Sequence, residues 1–131
     1  MAQVKIYGLA EYLVPVRSAL SDAIHGCVVE ALQFPPDKRA HRFFPLERAN
    51  FYIPGGQGRT DRYVIIEISM FEGRSLATRK QLIRLLFERI SAAAQITPAD
   101  IEITITETPR CNWGFRGQPG DEIGLGYKVE V

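Results

Sequence analysis

Sliding the chain by 62 residues against itself, without a gap, superimposes its two halves. Ile6 then meets Ile68, Arg17 meets Arg79, Leu20 meets Leu82 and Ala31 meets Ala93. Further along, Pro36 meets Pro98, Asn50 meets Asn112, Phe51 meets Trp113 and Gly55 meets Gly117. Scattered identities arise by chance, but a strand, a helix, a helix-ending proline and an Asn-aromatic step agreeing in one register are far harder to reach that way. The chain therefore reads as one domain, 1–131, built from two tandem units at about 2–54 and 62–120. At 131 residues it is long enough for one real core and too short for two ordinary domains.

Each unit follows the order strand, helix, strand. In the first, Val4, Ile6 and Gly8 alternate with Lys5 and Tyr7, the period-two pattern of a half-buried strand. Val16, Leu20, Ile24, Cys27, Val28 and Ala31 then recur at helical spacing, with Pro15 suited to the first turn and Pro35-Pro36 closing the helix. A short strand around His41–Phe44 follows, and Asn50–Ile53 reads as extended. Pro54-Gly55-Gly56-Gln57-Gly58 is the strongest turn signal. In the second unit, Val64, Ile66, Ile68 and Met70 share one strand face. Ser75 suits an N-cap, and Arg79, Leu82, Ile83, Leu86, Ile90 and Ala93 mark a helix face. Ile101, Ile103 and Ile105 alternate in another strand, and Tyr127, Val129 and Val131 predict a last short one.

Parallel strands need a crossover, right-handed by rule. The expected fold is thus α/β (α+β): a tandem β-α-β repeat forming a four-stranded mixed sheet with two helices on one face. The other face carries Glu67, Ser69, Glu102 and Thr104 but also Ile65, so oligomerisation is a natural cover for it.

Composition excludes several functions. A net charge of +1 gives no global attraction to nucleic acid or an anionic membrane, and no run approaches the roughly 20 apolar residues of a membrane span. The start, Met1–Ile6, is too polar for a signal peptide. Cys27 and Cys111 have no paired spacing, so neither a metal framework nor a disulfide framework is expected. Free thiols fit a cytoplasmic protein. Gly55, Gly56 and Gly58 lack a following Gly-Lys-Ser/Thr, which argues against a phosphate loop. His25 reads as partly exposed, while His41, Arg39 and Arg42 form a small basic cluster best read as a solvated edge.

Phe71-Glu72-Gly73-Arg74-Ser75 stands between a strand and a helix. Thr106-Glu107 closes a strand, and Asn112-Trp113-Gly114-Phe115-Arg116-Gly117 follows. In that order these residues resemble the tautomerase superfamily. The short 4-oxalocrotonate tautomerase subunit is one such β-α-β unit. The two-unit length resembles the trimeric fused-repeat group of malonate semialdehyde decarboxylase and cis-3-chloroacrylic acid dehalogenase.

The resemblance implies a cofactor-free enzyme, most simply an isomerase moving a proton on a small 2-oxo or enol acid, with decarboxylase or hydratase activity also known in the group. It implies a homotrimer. It also implies an N-terminal proline as general base or acid, and this chain has Ala2 there instead. Loss of Met1 would leave a primary amine at Ala2 that can do acid–base or imine chemistry. Arg74 matches the carboxylate-binding arginine, and a guanidinium offers the planar fork such a ligand needs. Asn112, Trp113 and Phe115 match the substrate-binding wall. The second substrate arginine of short members aligns near Glu102, and the decarboxylase aspartate near Asp37-Lys38. The alternative is a catalytically silent relative that binds a small acidic metabolite or serves in an assembly.

Overall fold

The computed structural model describes residues 1–131. Strand β1, Ala2–Leu9, leads through a short helix α1, Ala10–Leu13, and a 3-10 turn, Val14–Val16, into α2, Arg17–Leu32. Strand β2 is His41–Leu46 and β3 is Val64–Phe71. Helix α3 spans Leu76–Ala94 and β4 spans Ile101–Thr108. A minimal hairpin, β5 at Gly114–Phe115 and β6 at Gln118–Pro119, completes the regular structure.

The main sheet has the order β2-β1-β3-β4. The outer pairs β1/β2 and β3/β4 are parallel, and the central pair β1/β3 is antiparallel. This is the mixed sheet expected from two β-α-β units placed side by side. β1 and β3 begin 62 residues apart and show the same alternation of buried and half-buried residues. The left-handed caps that close the two long helices, Gln33 and Gln95, keep the same offset, as do the 3-10 turns Arg48–Asn50 and Arg110–Asn112.

Alternation decides which face is core. Val4 and Ile6 from β1, with Val64, Ile66, Ile68 and Met70 from β3, pack under Leu20, Ile24, Val28, Leu82, Leu86 and Ile90 of the two helices. Ser75 caps α3 by accepting a hydrogen bond from the Thr78 amide at 3.2 Å, satisfying one of the free N–H groups of the first turn. The opposite sheet face carries Ile65 and a stacked Tyr7–Phe44 pair with ring centroids 4.8 Å apart. No helix covers that face.

Four local expectations need correction. The terminal segment through Tyr127, Val129 and Val131 forms no strand. Val129 is nonetheless buried, and the Val131 carbonyl accepts from the Ser75 amide at 2.9 Å, so the tail is pinned on the β3–α3 turn rather than on the sheet. Asn50 lies in a 3-10 turn and not in an extended run. The last turn of α3 buries Ala94 and exposes Ala93, because the buried row advances by four residues at Leu82, Leu86, Ile90 and Ala94. His25 is buried, since its Nε2 finds the Pro36 carbonyl at 2.7 Å.

Candidate active site

The antiparallel register of β1 and β3 brings the functional candidates together. Ala2 lies opposite Met70, so the start of β1 sits beside the end of β3, where the Glu72–Ser75 turn departs. Gly73 takes φ +129° there, and a Cβ on it would stand 3.1 Å from Val129 Cγ1. The turn therefore needs glycine twice over, for its backbone and for the close approach of the tail.

Arg74, the next residue, points inward and is only 4% exposed. Its Nη1 donates to the Phe71 carbonyl at 3.1 Å, while its Nε and Nη2 have no hydrogen-bond partner. Burial pushes the guanidinium below its ordinary pKa, and Tyr127, Glu107 and Glu130 pull it back up. Unfilled donors on a buried cation are costly. Two of them on one planar fork match the paired oxygens of a carboxylate in geometry.

The chain start closes over this arginine. Ala2 is 4% exposed, and the Met1 nitrogen lies 2.5 Å from the Tyr127 hydroxyl. Burial, then the charges of Arg74 and Arg110, hold that amine at a pKa of about 4. Both influences favour the neutral form of the Met1 amine.

Aromatic rings form the walls. Trp113 meets Phe71 edge-on at 5.0 Å, and Phe115 lies over the same ring at 5.9 Å. Phe34 meets the Tyr127 ring at 5.1 Å. A narrow pocket beside them is lined by Met1, Phe34, Lys38, Phe115, Arg116, Leu125 and Tyr127. Arg110 holds the surrounding loop, donating to the carbonyls of Gly120 and Ile123.

Of the predicted residues, Ala2, Arg74, Trp113 and Phe115 gather at the end of β3 around Met70 and Phe71, and Phe115 also lines the pocket. Asn112 stays exposed on its turn, beside Cys111. At the Asp37-Lys38 step it is Lys38 that lines the pocket, while Asp37 is exposed. The basic cluster is divided among other partners: Arg39 pairs with Asp22 at 2.7 Å, Arg42 donates to Gln3, and His41 Nδ1 bonds Ser21 at 2.8 Å. Tyr127, Arg110 and Phe34 also stand at this corner and were not among the predicted residues. Tyr127 acts 126 positions from the amine it touches, and its only local signal was an apolar alternation that suggested a strand. Nowhere do three His, Cys, Asp or Glu side chains converge as a metal centre requires, and no helix is long and apolar enough to cross a membrane.

A family model described as "Tautomerase enzyme" matches residues 38–116, more than half of the chain. The 2-hydroxymuconate tautomerase of Pseudomonas putida is 33% identical over 58 residues, spanning 44% of this chain and 92% of that protein. Among solved structures, malonate semialdehyde decarboxylase superimposes with a TM-score of 0.81 at 22% identity, covering 92% of this chain and 99% of the other. An asymmetric trimer of the wild-type R7 fused 4-OT superimposes with a TM-score of 0.77 at 18% identity, covering 91% and 96%. These two likenesses speak for the fold, and the sequence matches speak for descent. The chain belongs to the tautomerase family of enzymes.

Proposed function

We propose that the protein is a cofactor-free tautomerase interconverting the enol and keto forms of a small 2-oxo carboxylic acid. The observation that carries this reading is Arg74, buried beside the chain start with two donors unfilled. The substrate carboxylate fills Nε and Nη2. With Met1 removed, the Ala2 amine takes the enol O–H proton and returns a proton to the neighbouring carbon as the C=C electrons move, so that nothing is gained or lost overall. An ordinary α-amine has a pKa of about 7.7–8.0. The depression already imposed on the Met1 amine, by burial and then by Arg74 and Arg110, would keep the Ala2 amine in its base form as well. Trp113 and Phe115 exclude water, which strengthens both interactions, and Asn112 takes part only as a contact at the rim.

The same reading treats residues 1–131 as one domain of two units, about 2–54 and 62–120, supported by the common 62-residue offset of strands, caps and turns. It makes the protein a homotrimer in the cytoplasm. The uncovered Ile65–Tyr7–Phe44 face supports assembly, as does likeness to a fused 4-OT trimer, and the two free thiols fit a reducing compartment. One observation favours the alternative of a binding-only relative: a retained Met1 lines the pocket and its nitrogen is bonded to Tyr127. The test is intact-mass measurement of the purified chain, followed by assay of ketonisation of simple 2-hydroxy-2-alkenoates and phenylenolpyruvate. Turnover by the Met1-free chain is expected. Inertness of that chain on every enol acid would leave only the binding role.

A further inference from the structure

We propose that Tyr127 contacts the substrate directly, its phenol donating a hydrogen bond to the 2-oxo or enol oxygen of the acid whose carboxylate Arg74 holds. The inference rests on Arg74 as the carboxylate anchor and adds the group that recognises the second oxygen.

In the structure that place is taken by the Met1 nitrogen, 2.5 Å from the Tyr127 hydroxyl. There the amine donates to the phenol oxygen, which marks the hydroxyl as a group that a polar atom in the pocket reaches, and a phenol can donate as well as accept. Loss of Met1 leaves the phenol facing the pocket without that partner. A half-buried hydroxyl that loses its partner gains from a new one. The vacated pocket therefore favours ligands that bring an acceptor to this point.

The ring does not depend on Met1 for its position. It packs edge-on against Phe34 at 5.1 Å. Two residues on, Val129 is buried against Gly73, and Val131 accepts from the Ser75 amide. The tail is thus pinned at two points on the turn that carries Arg74, which fixes phenol and guanidinium relative to each other.

The charge of Arg74 acts on this phenol, which places guanidinium and hydroxyl at the same end of the site. Burial, the largest influence on this phenol, raises its pKa against the pull of Arg74, Arg110 and Arg116, so it keeps its proton and stays a donor. During proton transfer the substrate oxygen gains negative charge. A fixed donor aimed at that atom is worth more then than in the ground state, typically about 10²–10³-fold in rate for an oxyanion donor.

Calorimetric titration of the Met1-free protein with phenylpyruvate and with 3-phenylpropanoate isolates this contact, because both ligands carry the carboxylate and one lacks the 2-oxo oxygen. The parent is expected to bind the 2-oxo acid about 3–10-fold more tightly, the yield of one neutral hydrogen bond. Tyr127→Phe keeps the ring on Phe34 and should bring that ratio close to one, with 3-phenylpropanoate binding unchanged. On phenylenolpyruvate, kcat of the variant should fall at least tenfold while KM stays within about twofold. A ratio that survives in Tyr127→Phe, or a parent that does not discriminate, overturns the assignment of Tyr127 and leaves Arg74 intact. A parent that binds neither acid removes the Arg74 anchor and this contact with it.

Discussion

Replacing Arg74 by methionine separates what the guanidinium does for folding from what it does for binding. Methionine fills a similar volume without charge, so the substitution avoids the cavity an alanine would leave. In the folded chain Arg74 contributes one hydrogen bond, to the Phe71 carbonyl at 3.1 Å. Such a bond is worth about 0.5–1.5 kcal/mol net. Against it stand Nε and Nη2, buried without partners, and each unfilled donor costs about 1–3 kcal/mol. Taken together, Arg74→Met should leave stability unchanged or raise it, as expected where a site is kept for function at a cost to the fold. Carboxylate binding should behave in the opposite way. Losing a charge-assisted pair costs about 1.5–3 kcal/mol, or about 10–150-fold in affinity. Urea denaturation gives the first quantity, and calorimetry with phenylpyruvate gives the second. A variant that loses more than about 2 kcal/mol of stability yet binds the acid like the parent would show that Arg74 is a structural residue, and the argument from unfilled donors would fail. Arg74→Lys should restore little binding, because a single ammonium cannot present two parallel donors.

Gly73→Ala should destabilise by about 1–3 kcal/mol and loosen the tail, since φ +129° and the 3.1 Å approach of Val129 both oppose a Cβ; thermal unfolding together with hydrogen exchange at Val129–Val131 would show it. His41 has its pKa held down to about 4 by burial first, then by His25 and Arg39. A group with a depressed folded pKa gives stability that is full above its unfolded value of about 6.5 and lost as pH falls towards 4. His41→Asn should therefore flatten the decline in urea midpoint between pH 6.5 and 4, and an unchanged slope would refute this. If the Ala2 amine shares the depression seen at Met1, kcat/KM should hold its plateau well below pH 7, whereas an ordinary amine would lose its base form from pH 8 downward. Sedimentation at micromolar concentration should show a trimer, and a clean monomer would contradict the assembly argument.

The fold was legible because its signals are periodic. Val64, Ile66, Ile68 and Met70 alternate and are all buried, and the helix rows Leu20–Ile24–Val28 and Leu82–Leu86–Ile90 face them. The same kind of signal misled at the tail, where Tyr127, Val129 and Val131 alternate without a neighbouring strand, and Val129 and Tyr127 bury against a turn and a phenyl ring instead. Arg74 could be singled out from the turn that holds it. Tyr127 and Arg110 could not, because their roles exist only after β1 and β3 pair antiparallel and the tail folds back. Their contacts run to the chain start and to the loop carbonyls of Gly120 and Ile123. His25 was misjudged for a related reason: the carbonyl that satisfies it belongs to Pro36, beyond the end of its own helix.

The proposed function turns on an amine at the chain start, set beside Arg74, moving the substrate proton. Its most direct test is the ketonisation rate of phenylenolpyruvate for three correctly processed proteins: the parent, the parent with its Ala2 amine acetylated, and Ala2→Pro. Expected are turnover by the parent, loss of the roughly 10²–10⁴-fold contribution of general base catalysis in the acetylated chain, and a faster rate for Ala2→Pro. Equal rates with and without the acetyl group would contradict the proposed function, as would an Ala2→Pro protein that folds, assembles and stays inert.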